Sequence, residues 1–260
     1  MSELAQLVTN GLVTGSIIAI AAIGLSLVYG ILKIVNFAHG DYLTLGAFFA
    51  FAVNVTWGAG MVVAVLSGIA AVALLAIVLE VGLWRPLRRR GSGLIGLFIV
   101  SIGLALVLRN VILLVWGARP RRYDVDVFQV YELGPIRLSL SQIVVIAVAS
   151  TTIALVGLML ARTRLGKAMR ALADSRQLAA ATGIDADRIT LYTWLLAGGL
   201  AGLGGVLQGL LQNAFTPNMG FTLLLPIFAA VILGGVGSAY GALVGGLLLG
   251  LIMEVSTWSG

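Results

Sequence analysis

The 260 residues contain no cysteine and a single histidine, His39. The first absence excludes disulfides, thiolate chemistry and cysteine-ligated metals, and the second excludes a multi-histidine metal site. Charge is scarce as well: Asp, Glu, Lys and Arg make up 10% of the chain, against roughly 25% in a soluble domain. No Lys or Arg precedes Lys33, whereas a cleavable signal sequence starts with a positive region, so none is expected here. A nucleotide-binding loop is missing too. It would need Gly-x-x-x-x-Gly-Lys followed by Ser or Thr. The lone Gly-Lys pair, Gly166-Lys167, is followed by Ala168 and has Ala161 in the place of the first glycine. What fills the chain instead is 60% hydrophobic residues and 34 glycines, glycine being commoner in transmembrane helices than in soluble ones. The fold class is therefore an all-α polytopic membrane protein, a single transmembrane domain over 1–260. The net charge of +6 sits in short loops flanking apolar runs, which is a signature of topology. A nucleic-acid partner is not expected, and lipid is the solvent.

Apolar runs occupy 11–32, 42–57, 60–84, 94–117, 138–161, 191–212, 221–233 and 242–258. A span needs roughly 20 apolar residues. The runs at 42–57, 221–233 and 242–258 are short, so about eight segments are expected, some broken or re-entrant. Basic residues set the orientation. Arg85, Arg88, Arg89 and Arg90 follow the third run, and Arg162, Arg164, Lys167, Arg170, Arg176 and Arg188 follow the fifth. Both loops are expected in the cytoplasm, which puts the N-terminus outside. The 118–137 loop, with four arginines against Asp124, Asp126 and Glu132, then faces out.

The short runs carry the functional signal. The first passes into Asn36-Phe37-Ala38-His39-Gly40-Asp41, polar residues at a depth where lipid-exposed backbone is not tolerated. Pro226 interrupts 221–233, and Gly234-Gly235-Val236-Gly237-Ser238 separates it from the last run. Interrupted segments in corresponding positions of two halves suggest an inverted repeat with a substrate path between them. The two breaks are expected to meet near the membrane midplane, giving a path of Asn36, Phe37, His39, Gly40, Asp41, Gly234, Gly235, Gly237 and Ser238. Three roles are open to the polar residues of the first break: Asn36 and Asp41 capping helix ends, the segment lining a path, or His39 and Asp41 relaying protons. Elsewhere Arg109 is expected to anchor its span by snorkelling, and Glu80 to pair with the arginines after it. Glu254 has no nameable partner. Gly198-xxx-Gly202 and Gly205-xxx-Gly209 are expected to pack helices within the chain.

The longest polar interruption, 162–190, reads as a cytoplasmic loop built on one amphipathic helix over 166–182. At 100° per residue Leu165, Met169, Leu172, Ala179 and Ala180 share a face, and Lys167, Arg170, Asp174 and Gln177 share the other. Gly183 suits the left-handed residue after a helix, and Asp185 or Asp187 can cap the next one. Arg176 lies within the apolar stripe, where a membrane-lying helix would gain nothing from a charge. A protein groove holding a carboxylate could take it.

Three stretches now resemble a known family. Gly24-Leu25-Ser26-Leu27-Val28-Tyr29-Gly30 followed by Asn36–Asp41 looks like the N-terminal signature of branched-chain amino acid ABC transporter permeases. Gly166-Lys167-Ala168-Met169-Arg170-Ala171, with Asp174, Ala179 and Gly183-Ile184, is similar to the family's ATPase-docking loop, and Gly234-Gly235-Val236-Gly237-Ser238 with Gly241 also fits. The resemblance implies a non-enzymatic permease subunit of an importer in the bacterial inner membrane. Its implied partners are a second permease (the same chain or a related one), two ATPase subunits that hold ATP-Mg, and a periplasmic binding protein. This chain would bind no cofactor. The implied cargo is branched-chain or other neutral amino acids, with urea and short amides carried by close relatives. The docking residues expected from the loop are Leu165, Met169, Leu172, Asp174, Arg176, Ala179, Ala180 and Gly183. Family members continue past the position of Ser259-Gly260 into another apolar segment. The alternative class is a stand-alone proton-coupled transporter or channel, against which stands the placing of Asp41, Glu80 and Glu254 at segment ends.

The orientation is directly testable because the chain has no cysteine of its own. Single cysteines at Ser92 and Ser175 should resist an impermeant thiol reagent applied from outside and react once the membrane is opened. Labelling of either from outside would invert the topology.

Overall fold

The computed structural model describes residues 2–125, 129–133, 136–212 and 214–258. Asp126, Ser259 and Gly260 lie outside these residues. The chain forms helices α1 (Ser2–Leu32), α2 (His39–Phe51), α3 (Met61–Leu79), α4 (Arg85–Arg89), α5 (Leu94–Trp116), α6 (Leu140–Arg162), α7 (Arg164–Asp174), α8 (Arg176–Ala181), α9 (Ala186–Leu211), α10 (Met219–Gly234) and α11 (Ala239–Val255). Between α5 and α6 the strands β1 (Val130–Leu133) and β2 (Ile136–Ser139) pair antiparallel, with Val130 opposite Ser139. That hairpin is the one departure from an all-helical chain among the described residues.

Five stretches are long and apolar enough to cross a membrane: Glu3–Leu32, Met61–Arg89, Leu94–Trp116, Leu140–Arg162 and Ala186–Leu211. α10 and α11 are shorter apolar helices. Burial ranks them. In the most apolar window of each, 89% of α1 and 78% of α9 are buried, against 28%, 22% and 17% for Met61–Arg89, Leu94–Trp116 and Leu140–Arg162. So α1 and α9 form the axis, and α3, α5 and α6 stand at its periphery. The 61–89 segment stays continuous through a π-helical stretch at Glu80–Trp84, whose extra residue per turn brings both Glu80 and Trp84 inward. Trp84 stacks on Trp194 there, centroids 5.8 Å apart.

The directions follow from close backbone contacts. A Cβ on Gly11 would meet Leu251 at 2.9 Å, one on Gly15 would meet Leu247 at 3.0 Å, and one on Gly30 would meet Gly237 at 3.0 Å, so α11 runs antiparallel to α1. Gly24 faces Ala197, and Gly204 faces Ile17 to Ala21, making α9 antiparallel to α1 as well. Gly198 and Gly202 pack on Val72–Ala76 and Gly68 of α3. Both GxxxG pairs of α9 therefore close contacts within the chain, Gly205 on Leu43 and Gly209 on Tyr123.

Both basic loops lie at one end: Arg89 pairs with Asp187 at 3.1 Å. At the other end Gln6 exchanges hydrogen bonds with the Arg137 backbone, 2.8 and 3.0 Å, and Arg121 pairs with Phe215. Glu80 is closed off at the basic end by Arg88, with Arg85 at 3.8 Å, as the spacing of the arginines implies. Glu254 meets the Thr14 hydroxyl at 3.2 Å.

One of the tight approaches lies between α2 and α10, where a Cβ on either Gly40 or Gly220 would run into the other's carbonyl. Gly220→Ala should destabilise the detergent-solubilised protein by about 2 kcal/mol or more, since overpacking typically costs about 1–3 kcal/mol and here the clash is with backbone. Gly103 has nothing within 4 Å of its Cβ position. Gly103→Ala should leave the melting temperature unchanged or raise it. Equal melting of the two variants would mean that the crossing is looser than described.

Candidate translocation site

Two helices begin inside the bundle. α1 ends where Lys33 turns left-handed (φ 56°), its N–H still bound to Tyr29 O at 2.8 Å. The chain then doubles back, and His39 Nε2 reaches Ala21 O at 2.9 Å. Ala21 is eleven residues before the end of α1, about 16 Å along a helix axis. Backbone at that depth must find partners within the protein. It does: Phe37 N–H donates to Ser101 Oγ (3.1 Å), the Ser101 hydroxyl lies 3.1 Å from Val35 O, and Ala38 N–H donates to Asn36 Oδ1 (3.2 Å). Asn36 thus closes a turn ahead of α2, with His39 N–H on Asn36 O at 3.3 Å.

α10 starts the same way. Met219 N–H bonds Thr216 O at 3.0 Å, and Thr222 N–H bonds Asn218 O, matching Tyr42 N–H on Ala38 O in α2. The two starts face each other through Gly40 and Gly220, and Thr44 Oγ1 accepts the Gly220 N–H at 3.0 Å. From this crossing α2 proceeds toward Asn54, which accepts the Asp124 N–H, and α10 proceeds toward the basic end.

Asp41, in the first turn of α2, does not cap it. Its carboxylate takes Arg109 of α5, Nε to Oδ1 at 3.2 Å and Nη2 to Oδ2 at 3.4 Å. The Arg109 guanidinium also lies over the Phe221 ring, 4.2 Å from its centroid. Arg109 is therefore paired rather than snorkelling, which corrects the expectation from sequence. Toward the basic end Phe37 packs on Phe98 and Phe228, centroids 5.2 and 5.1 Å away. These half-buried rings and the ion pair share one side of the chain, where α5 and α10 flank the start of α2.

The second expected break is elsewhere. Pro226 lies inside α10 without ending it. Gly234–Ser238 is a tight turn at the basic end, with Gly235 and Gly237 at φ 90° and the Ser238 hydroxyl capping α11 through the Gly241 N–H. Gly237 touches Gly30, nine residues along α1 from Ala21, about 13 Å. The partner of Asn36–Asp41 is thus 216–220, and Gly237 and Ser238 instead border a cleft of about 160 Å³ with Met169, Arg170 and Tyr240.

The sequence profile described as "Branched-chain amino acid transport system / permease component" matches residues 7–260. The high-affinity branched-chain amino acid transport system permease protein BraD of Pseudomonas aeruginosa is 34% identical over 259 residues, 95% of this chain and 84% of that protein. LivH of Escherichia coli, of the same description, is 31% identical over 97% of this chain and 85% of its own length. The chain belongs to this permease family. It is a multi-pass membrane protein and a transport subunit. The ribose import permease protein RbsC of Escherichia coli is 28% identical over 91% of this chain and 73% of that protein. No solved structure matches.

In this permease the 162–190 loop is two short helices rather than one. Ser175 is extended (φ −155°, ψ 112°), and its hydroxyl accepts the Leu178 N–H, so the chain restarts there as α8. Serine competes with helical backbone for hydrogen bonds and favours such a start. The apolar face of α7 turns inward: Met169 and Leu172 are each 2% exposed, and α7 packs on α1, α6 and α9. Ala179 is buried and Leu165 half-buried, whereas Asp174, Ala180 and Gly183 are exposed. Arg176 has its carboxylate within the chain, Asp187 at 3.0 Å. Leu178, left out of the expected stripe, is 71% exposed. Gly183 takes φ 85° and Asp185 caps α9, both as read from sequence.

Thr44, Ser101 and 216–220 were not legible as site residues; a Thr or Ser in an apolar run gives no signal of its own. Thr44→Val keeps shape and removes the acceptor for the Gly220 N–H. Stranding a buried donor costs about 1–3 kcal/mol, and the melting temperature should fall by several degrees. No change would show that Gly220 N–H finds another acceptor.

Proposed function

We propose that this chain is the permease subunit of an ATP-binding-cassette importer that moves branched-chain or other neutral amino acids inward. The observation that carries the reading is family membership over residues 7–260, together with two half-helices meeting inside the bundle. In this reading α1–α2–α3 and α9–α10–α11 are inverted repeats about a path along Asn36–Asp41 and 216–220, and about eight segments cross the bacterial inner membrane with the N-terminus outside. A second permease, identical or related, completes the path. A periplasmic binding protein delivers the substrate, and two ATPase subunits hold and hydrolyse ATP-Mg.

The 162–190 loop docks on the ATPase, with the contact residues redrawn by exposure. Leu178, Ala180 and Gly183 face outward and form the contact; Met169, Leu172 and Ala179 hold the loop to the membrane helices. Asp174 and Arg176 line an open cleft of about 530 Å³ beside the docking surface, shared with Lys33 and Arg85.

The test is uptake of leucine by the permease reconstituted with an ATPase and a periplasmic binding protein of a branched-chain amino acid importer from the same organism. Import should require all components and ATP. Import by the permease alone, driven by a proton gradient, would replace this reading with a stand-alone transporter. Within the assembly Leu178→Asp should weaken ATPase copurification about tenfold to a hundredfold, from about 1.5–3 kcal/mol for burying a leucine. The chain itself should accumulate normally. Leu172→Asp should instead lower the amount of folded permease, because Leu172 is core. The reverse pattern would restore the original docking face.

A further inference from the structure

Arg109 spends only part of its hydrogen-bonding capacity on Asp41. A guanidinium carries five N–H donors in a planar fork. Nε and one N–H of Nη2 go to Asp41. Among the described residues Nη1 has no hydrogen-bond acceptor, so the Nη1–Nη2 edge, a second fork of the same shape, is unfilled. The side chain is 17% exposed, against 1% for Asp41. Inside a membrane a charged donor edge toward hydrocarbon is among the costliest arrangements, and such groups face a path or a partner instead. The guanidinium is also fixed in orientation, by two bonds on one edge and the Phe221 ring across its face. Phe221 is itself 51% exposed, an apolar wall next to the open fork.

We infer that the Nη1–Nη2 edge of Arg109 is the carboxylate subsite of the transport path, taking the α-carboxylate of an amino acid in transit as a second bidentate pair. The inference rests on the reading as an amino-acid importer and adds the handle by which the path selects its cargo. Arg–carboxylate pairs are bidentate where geometry allows, and the free fork supplies that geometry. Asp41 matters in two ways. It holds the fork in place, and its charge offsets that of Arg109, so the cargo is gripped loosely enough to leave. Phe221 accepts an apolar side chain next to the carboxylate. Urea, amides and sugars lack the handle and gain nothing from this station.

The experiment uses the complete transporter in proteoliposomes, with a panel of neutral amino acids headed by leucine. Arg109→Lys keeps a charge opposite Asp41 and loses the fork. Asp41→Asn combined with Arg109→Gln removes both charges. Each should lower initial leucine uptake at saturating binding protein at least tenfold while the permease still copurifies with its ATPase. An independent readout needs no variant: reaction of Arg109 with an arginine-selective dicarbonyl reagent, followed by mass spectrometry. Excess leucine should slow that reaction several-fold, and isovaleramide, which lacks the carboxylate, should not. Wild-type uptake by the neutral pair, or equal protection by leucine and isovaleramide, overturns the inference and leaves the importer intact. If the wild-type assembly imports no neutral amino acid at all, the functional reading falls first.

Discussion

The structure depends on how closely backbones can approach. Helices in a membrane gain little from excluding lipid, so packing and small-residue contacts hold them together. Here α1, the axis, is seamed to α11 by Gly11, Gly15 and Gly30 on one side and Gly246 and Gly250 on the other, and to α9 by Gly24. The same device sets the crossing of α2 and α10 at Gly40 and Gly220. Gly11, Gly40, Gly220, Gly246 and Gly250 leave no room for a methyl group, and Gly15, Gly24 and Gly30 leave little. Two other glycines answer a different need: Gly235 and Gly237 take positive φ so that α10 can turn directly into α11.

That crossing creates a debt of unpaired backbone. A helix that starts inside the bundle presents its first N–H groups where no water reaches them. The chain settles this with short polar side chains: Asn36 within the turn for Ala38, and, from other segments, Ser101 for Phe37 and Thr44 for Gly220. All three sit within or beside apolar runs. A break in a membrane helix is thus stable only where a small hydroxyl or amide on another segment happens to be level with it. Sequence separations of 64 and 176 residues for the Ser101 and Thr44 bonds show how far apart those partners lie.

This separation decides what was legible in the sequence. Composition and the spacing of apolar runs established a helical membrane chain, and the arginine clusters placed the two basic loops at one end. Asn36–Asp41 stood out because its polar residues are local to one another. Its partner did not. The start of α10 is marked by Thr216-Pro217-Asn218, which reads as an ordinary loop, while the glycine cluster at 234–238 looks more like a break and is only a turn. Periodicity likewise found the amphipathic stripe of the 162–190 loop but could not say which way it faces. A stripe that docks on a partner and one that docks on the same chain have the same spacing. Only the third dimension puts Met169 and Leu172 against α1, α6 and α9 and leaves Leu178 outside.

Charge obeys a stricter rule than either. Three carboxylates stand within or at the ends of apolar runs, and each has found a partner from elsewhere on the chain: Arg109 for Asp41, Arg88 and Arg85 for Glu80, the Thr14 hydroxyl for Glu254. Desolvation makes an isolated ionised group at such depth far costlier than any packing contact can repay, so pairing is forced. Arg109 and Asp41 could have been matched from sequence on that ground, as an arginine within one apolar segment and an aspartate at the break before another. The two buried pairs nevertheless differ. Glu80 is wholly covered and both its oxygens are bound by Arg88, at the end where the 85–89 helix meets the loop before α9. Exposure does not separate them: Arg88 is 18% exposed over a covered Glu80, and Arg109 is 17% exposed over a covered Asp41. The edge used does. Arg88 spends both its Nη groups on Glu80, whereas Arg109 gives Asp41 its Nε and Nη2 and, among the described residues, leaves the Nη1–Nη2 edge unfilled. The Asp41 pair is a cation held in place by an anion with its outer fork open, on the face where the two half-helices begin, and that difference sets it apart from the bridge at Glu80.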